Sequence, residues 1–236
     1  VNSMASIYLV RHGQASFGAD DYDQLSSRGE EQAALLGQWI KHCHLPINKV
    51  YMGEAKRHLQ TAQHCLAVAD DLSATVWQSL SGFNEFDHEE ILARYRPDLT
   101  DKAAMAQLLA ASPNPRKAFQ QFFSDAVQRW LSGQYDDEYT ETWSQFCQRS
   151  RDALAQVMRE AGTARDIWVF TSGGTISAIL QAILGIGNDK IFDLNWTLVN
   201  SGVTKILYSG ERISTSYINS QAHLEQYQRA ELITYR

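Results

Sequence analysis

Residues 7–14 read Ile7-Tyr8-Leu9-Val10-Arg11-His12-Gly13-Gln14, an apolar run that ends in a cation, an imidazole and a glycine. Four apolar residues in succession, bounded by polar ones, read as a short strand buried on both faces, the form that strands take in a parallel sheet. The carboxyl end of such a strand is where an open α/β sheet presents its ligand groups. There Arg11 supplies charge, His12 a ring nitrogen and Gly13 a main chain that can approach an anion closely. The junction points to an α/β fold with phosphoryl chemistry at the end of its first strand.

Working outward, Ser27-Arg28-Gly29-Glu30 has the spacing of a capping box and opens a helix through Trp39 and Ile40 that ends before Pro46. Lys49–Met52 reads as a second strand, Glu54–Ala69 as a second helix and Thr75–Gln78 as a third strand. Ile167–Phe170 gives a fourth strand, followed by a helix from about Thr175 to Leu184. Strands alternating with helices predict a three-layer α/β/α sandwich around a mainly parallel sheet. Val203–Tyr208 and Arg212–Ile218 flank Ser209-Gly210-Glu211 and read as a hairpin that adds an antiparallel edge.

Between Glu85 and Ala164 helical stretches follow one another without a strand, punctuated by Pro97, Pro113 and Pro115. The 236 residues are therefore read as one domain, 1–236, carrying a helical lid insertion at about 86–164. Phe119, Phe122, Phe123, Val127, Trp130 and Leu131 recur at helical spacing and are expected to form the insertion's own core. Such an insertion is expected to cover the sheet edge that carries Arg11 and His12 and to set substrate choice. Its Arg94, Arg96, Arg116 and Lys117 are candidates for a second anionic group, although charges on helices are mostly solvated.

Twenty-one basic against 27 acidic residues give a formal charge of −6, which argues against a nucleic-acid or anionic-membrane surface. Local cations must then bind any phosphate. Cys43, Cys65 and Cys147 are odd in number and have no Cys-x-x-Cys spacing, as expected of reduced thiols. No apolar run approaches the ~20 residues that span a bilayer, and the first residues lack the basic and apolar regions of a signal peptide. A cytoplasmic location is the expectation.

The chemistry-bearing stretches recur in a definite order. Val50–Ala62 reads Val-Tyr-Met-Gly-Glu-Ala-Lys-Arg-His-Leu-Gln-Thr-Ala; Phe83-Asn84-Glu85-Phe86 precedes the helical segment; Ile167–Thr175 reads Ile-Trp-Val-Phe-Thr-Ser-Gly-Gly-Thr; and Asn200-Ser201-Gly202-Val203-Thr204 opens the hairpin. In this order, over roughly residues 5–210, the chain resembles the histidine phosphatase, or phosphoglycerate mutase-like, superfamily. The resemblance implies Arg11 and Arg57 as phosphate cations, His12 as nucleophile, Glu85 as the acid, and Ser172 with Gly173 at the phosphate. The resemblance also marks two departures. Ser172 stands where the family places a second histidine, and no asparagine stands near Gly18, in the loop Gln14-Ala15-Ser16-Phe17-Gly18.

What these residue types can do follows from phosphorus chemistry. A phosphomonoester repels nucleophiles through its charged oxygens, and two arginines relieve that repulsion by charge-assisted, often bidentate hydrogen bonds. A neutral histidine can then attack, splitting one hard displacement into two easier ones. Glu85 would protonate the leaving alkoxide and later activate water, with Asp87, Glu89 and Glu90 as neighbouring alternatives. Ser172 offers a shorter, neutral donor, at the start of a helix whose N–H groups favour anions. Losing a donor that acts on the transition state costs roughly two to three orders of magnitude in rate. His58 and His88 lie near the motif residues and are candidates to compensate.

Competing signals are weaker. Phe170 occupies the first-glycine position of a Gly-x-Ser-x-Gly elbow, His42-Cys43-His44 sit at adjacent positions that diverge on a helix end, and Gly185-Ile186-Gly187 lacks a third glycine. The resulting expectation is a phosphatase acting on a small phosphorylated substrate through a phosphohistidine on His12, with no metal and no cofactor. The alternatives are a phosphate-recognising pseudophosphatase, in which Ser172 marks weakened catalysis, and a phosphoglycerate mutase-type phosphotransferase.

Overall fold

The computed structural model describes residues 4–16, 23–69 and 76–235. Thr75, expected to start the third strand, and Phe17 and Gly18 of the first loop lie outside them. Two compact units emerge, residues 1–85 with 149–236, and residues 86–148.

The first unit holds a six-stranded sheet. Its strands are β1 (Ala5–Arg11), β2 (Lys49–Met52), β3 (Val76–Ser79), β4 (Asp166–Thr171), β5 (Val203–Ser209) and β6 (Arg212–Ser220). They are ordered β3-β2-β4-β1-β5-β6. The first four run parallel, while β5 and β6 add the antiparallel edge expected from the hairpin. In register, Arg11 pairs with Thr171, so the ends of β1 and β4 deliver their next residues side by side.

Alternation along β1 builds the two cores. Ile7 and Leu9 face one side with Ile167 and Val169 of β4, under Ala153, Leu154 and Val157 of α6 (Trp143–Glu160) and Ile176, Ile179 and Leu180 of α7 (Gly173–Leu184). Tyr8 and Val10 face the other side with Trp168 and Phe170. These pack under α1 (Ser27–His42) and α2 (Lys56–Ala69) through Leu36, Ile40, Ala62 and Leu66. The result is the α/β/α sandwich implied by the strand–helix alternation. The two helices of the second face cross closely, since a Cβ on Gly37 would stand 2.1 Å from the Cys65 carbonyl oxygen.

Two helix starts differ from the sequence expectation. The α1 cap is Ser26, not Ser27: Ser26 is extended (φ −74°, ψ 165°) and its Oγ accepts from the Gly29 N–H at 3.1 Å. The third helical residue is then Gly29, which has no side chain to complete a capping box. α2 begins at Lys56, because the Lys56 N–H is capped from a distance by the Asp23 carboxylate at 2.9 Å. None of the three cysteines is in a disulfide, and no helix among the described residues is long and apolar enough to cross a membrane.

Among its described residues the second unit has helices and connecting turns but no strand. It contains α3 (His88–Tyr95), α4 (Lys102–Ala110), α5 (Pro115–Leu131) and the first turns of α6. Phe122, Val127, Trp130 and Leu131 are buried as their spacing implies. Phe119 and Phe123 are only half-buried and stack on each other. Trp130, Trp143, Phe146 and Phe86 complete an aromatic cluster, in which the indole N–H of Trp130 donates to the Glu141 carbonyl at 2.8 Å. Of its candidate cations, Arg94 pairs with Glu90 and Arg96 forms a two-pronged pair with Asp98, so both are engaged within the unit. Lys190 and Asp193 begin a short α8 (Ile191–Thr197), and α9 (Ala222–Glu225) packs back on α1.

Candidate active site

The end of β1 is fixed by its main chain. The His12 N–H donates to the Thr171 carbonyl at 2.8 Å, and the Gly13 N–H donates to Thr61 Oγ1 at 3.0 Å. Gly13 has no room for a side chain, because a Cβ there would meet the Gly29 carbonyl oxygen at 2.5 Å. On the other side, Asn200 Nδ2 and the Ser201 N–H both donate to the His12 carbonyl, at 3.1 and 3.3 Å. Ser201 reaches this position in the left-handed region, at φ 60°. Behind it the Ser201 hydroxyl meets the buried ring of His223 at 2.8 Å, and Thr234 holds the Asn200 amide.

His12 is buried, and its Nδ1 lies 2.7 Å from its neighbour's carbonyl, that of Gly13. A carbonyl only accepts, so Nδ1 carries the proton and Nε2 keeps its lone pair. Burial first, then the charges of Arg57 and Arg11, hold the imidazole well below its ordinary value. The ring is therefore neutral at neutral pH, with the nitrogen away from Gly13 free to act as a nucleophile.

Arg57 lies in the first turn of α2, beside this ring. Its Nη1 donates to Asp23 Oδ1 at 2.6 Å while the other Asp23 oxygen caps the helix, so one carboxylate fixes both the helix start and the guanidinium. Thr61, one turn on, donates to the Arg57 carbonyl at 2.6 Å and accepts from Gly13. Gln-Thr-Ala thus ties α2 to the end of β1. Arg11 donates to the Leu198 carbonyl through Nη1. A Cβ on Gly173 would stand 3.5 Å from Arg11 Nε and 2.9 Å from Asn195 Oδ1, so the glycine lets the helix start lie against the guanidinium.

At the end of β4, Ser172 and Gly173 are buried and lead into α7. Glu85 Oε2 accepts from the Gly174 N–H at 3.2 Å, which ties the carboxylate to the first turn of that helix. Asp87 instead caps α3 by accepting from the Glu90 N–H, Glu90 accepts from Thr140, and Glu89 is exposed. Of the four carboxylates weighed from sequence, Glu85 is the one bonded to the Ser172–Gly174 turn.

Arg149 belongs to none of the motifs read from the sequence. From α6 it donates to the carbonyls of Gly82, Asn84 and Glu85, at 3.2, 2.8 and 3.4 Å, and so clamps the loop that carries Glu85. Nothing in a lone arginine on an amphipathic helix marks it out. Thr171 and Thr175 hold the same loop through the Phe83 and Asn84 carbonyls. His58, singled out as a neighbour of the motif, has its Nε2 2.6 Å from Ser172 Oγ and its ring 5.7 Å from that of His12. His88 opens α3 in the other unit.

The sequence profile described as "Histidine phosphatase superfamily (branch 1)" matches residues 7–117 and 110–221, which take in every residue named above up to Ser201. The chain belongs to this superfamily. Its activity is of the superfamily's phosphatase or phosphotransferase type. It is 25% identical over 235 residues to the protein named "Putative phosphoserine phosphatase 2" of Hydrogenobacter thermophilus, covering 94% of this chain and 99% of that one. Among solved structures, its fold is similar to phosphoglycerate mutase from Bacillus anthracis str. Sterne, at a TM-score of 0.66 and 15% identity over 97% and 98% of the two chains. It is also similar to a phosphoserine phosphatase from Entamoeba histolytica bound to phosphoserine, at a TM-score of 0.64 and 18% identity over 93% and 98%.

Proposed function

We propose that this superfamily member hydrolyses a small phosphomonoester through a phosphohistidine on His12. The observation that carries this reading is the state of His12: a buried, neutral ring with its proton on Nδ1, beside two arginines. Arg11 and Arg57 draw charge from the phosphoryl oxygens as His12 Nε2 attacks. The N–P bond forms while the ester P–O bond breaks, and Glu85 gives its proton to the departing alkoxide. The phosphorylated ring is positively charged, and its Nδ1–H bond to the Gly13 carbonyl stabilises that charge. Glu85, now a carboxylate, takes a proton from water as the water oxygen attacks phosphorus. The N–P bond breaks, releasing inorganic phosphate and neutral His12.

Ser172, Gly173 and the first N–H groups of α7 are proposed to complete the phosphate contacts from β4. The proposed site uses neither a metal nor a cofactor. The test is hydrolysis of a panel of phosphomonoesters by wild type and His12→Ala, with folding checked by thermal unfolding. Turnover lost by about 10⁴-fold or more in the folded variant is expected; equal turnover in both proteins would exclude His12 as the nucleophile.

A further inference from the structure

We propose that His58 is a positioning residue, holding the Ser172 hydroxyl so that Ser172 turns its proton toward a phosphoryl oxygen. This rests on the reading of the site as a phosphoryl site given above.

The first observation is what Ser172 does not do. It occupies the N-cap position of α7, with extended φ −117° and ψ 164°, yet its side chain makes no capping hydrogen bond. A serine at a helix start normally accepts from an N–H two or three residues on. Here the Gly174 N–H goes to Glu85 instead, and the Ser172 oxygen sits 2.6 Å from a ring nitrogen 114 positions away in sequence.

The second observation is how closely His58 is accommodated. The ring and Ser172 are both fully buried. Gly53 admits the ring only because it lacks a side chain, since a Cβ there would lie 2.3 Å from Nδ1. The Gly53 main chain lies alongside Nδ1 without meeting hydrogen-bond geometry, and Nδ1 has no partner among the described residues. Burial, and then the charge of Arg57, push the ring down to about 3, against a smaller upward pull from the Gly53 main chain. His58 is therefore neutral and has one proton to place.

Two placements are available. With the proton on Nδ1, a buried N–H has only the poorly placed Gly53 main chain to meet and Ser172 spends its only proton on Nε2. With the proton on Nε2, that N–H donates to Ser172 Oγ, and the hydroxyl proton is free to donate elsewhere. An unmatched buried donor is rarer than an under-used acceptor. A phosphoryl group offers only acceptors, so it favours the second placement. The His58 ring centroid also lies 5.7 Å from that of His12, so the ring that holds the Ser172 hydroxyl belongs to the same site as the proposed nucleophile.

The test measures inorganic phosphate binding by calorimetry for wild type, His58→Ala, Ser172→Ala, the double variant and His58→Gln, with kcat and KM alongside. Each single alanine variant is expected to weaken phosphate binding about tenfold and to lower kcat more than it raises KM. The double variant should be no worse than Ser172→Ala, because His58 acts through Ser172. His58→Gln, whose amide N–H can reach the same oxygen, should recover most of the loss. Additive losses, or no rescue by glutamine, would overturn the proposal.

If His58→Ala fails to fold, the imidazole ¹⁵N signals of the wild type carry the test. They should show the proton of His58 on Nε2 and shift with inorganic phosphate in wild type but not in Ser172→Ala; a proton on Nδ1 in the phosphate complex would refute it. Coupled phosphate binding without any phosphorylation of His12 would overturn the phosphatase reading and leave this inference standing.

Discussion

The ends of β1 and β4 lie side by side in parallel register, yet they equip the site by opposite means. β1 ends in Arg11 and His12, and its main chain is pinned by Thr171, Thr61, Asn200 and Ser201. β4 ends in Thr171, Ser172 and Gly173, which carry no charge. One of its hydroxyls is spent on the Phe83 carbonyl, while the other meets a buried neutral ring. The difference teaches that charge and the proposed nucleophile come from β1 and α2, whereas β4 contributes neutral hydroxyls and a helix start. A charged group works from a distance, but a neutral donor must be aimed, and that is the part given to His58.

The sharpest way to break this division is to remove charge from the β1 side. Arg57→Met is expected to lower kcat by roughly 10³-fold. It should also move the acid limb of the pH–rate profile to higher pH, because the Arg57 charge is one of the causes that depress His12. His12 must be neutral to attack, so a higher value for its ring means activity is lost sooner on acidification. An unmoved acid limb would show that Arg57 does not act on His12.

A change on the β4 side should do less by itself. Ser172→His would put an imidazole where the His58 ring already lies, in a fully buried position. We expect about a 10²-fold fall in kcat for that variant, and partial recovery when it is combined with His58→Ala, which makes room. A gain from Ser172→His alone would mean that the serine is a deficit rather than a fitted part.

The remaining expected effect is on stability and leaves the division between the two strands untouched. His58 and His223 are both held near 3 in the folded protein, chiefly by burial, against an ordinary 6.5. The unfolded chain takes up these protons as the pH falls through 6.5, while the folded chain refuses them until about 3. Stability should therefore decline with acidification across that window, by up to about 1.4 kcal/mol per pH unit for each histidine. Denaturant titrations at pH 7 and pH 5 check this, and His223→Gln should make the decline shallower.

Much of this was legible in the sequence. The unbroken apolar run Ile7-Tyr8-Leu9-Val10, together with the helices that alternate with the later strands, predicts a sheet covered on both faces, and those faces are the two cores observed. Arg11, His12, Arg57 and Glu85 could be named as candidates from the sequence because their motifs are local, each a strand end or helix start with a few neighbours. The Ser26 cap was missed by one position because two serines stand together and only the backbone angles decide between them. Arg149 and the His58–Ser172 pair were not legible as contacts, since each joins positions more than 60 residues apart that only the packed fold brings together. Asp23 was hidden for the same reason: its partners lie on a helix 33 and 34 positions on.

The most direct test of the central claim is rapid acid-free quenching of the protein during turnover, followed by intact-mass measurement and mapping of any phosphorylated residue. A single phosphoryl group on His12, formed and discharged at the turnover rate and absent in His12→Ala, is the expected result. Phosphate release with no phosphorylated protein at any time, or a phosphoryl group found on Ser172, would contradict it.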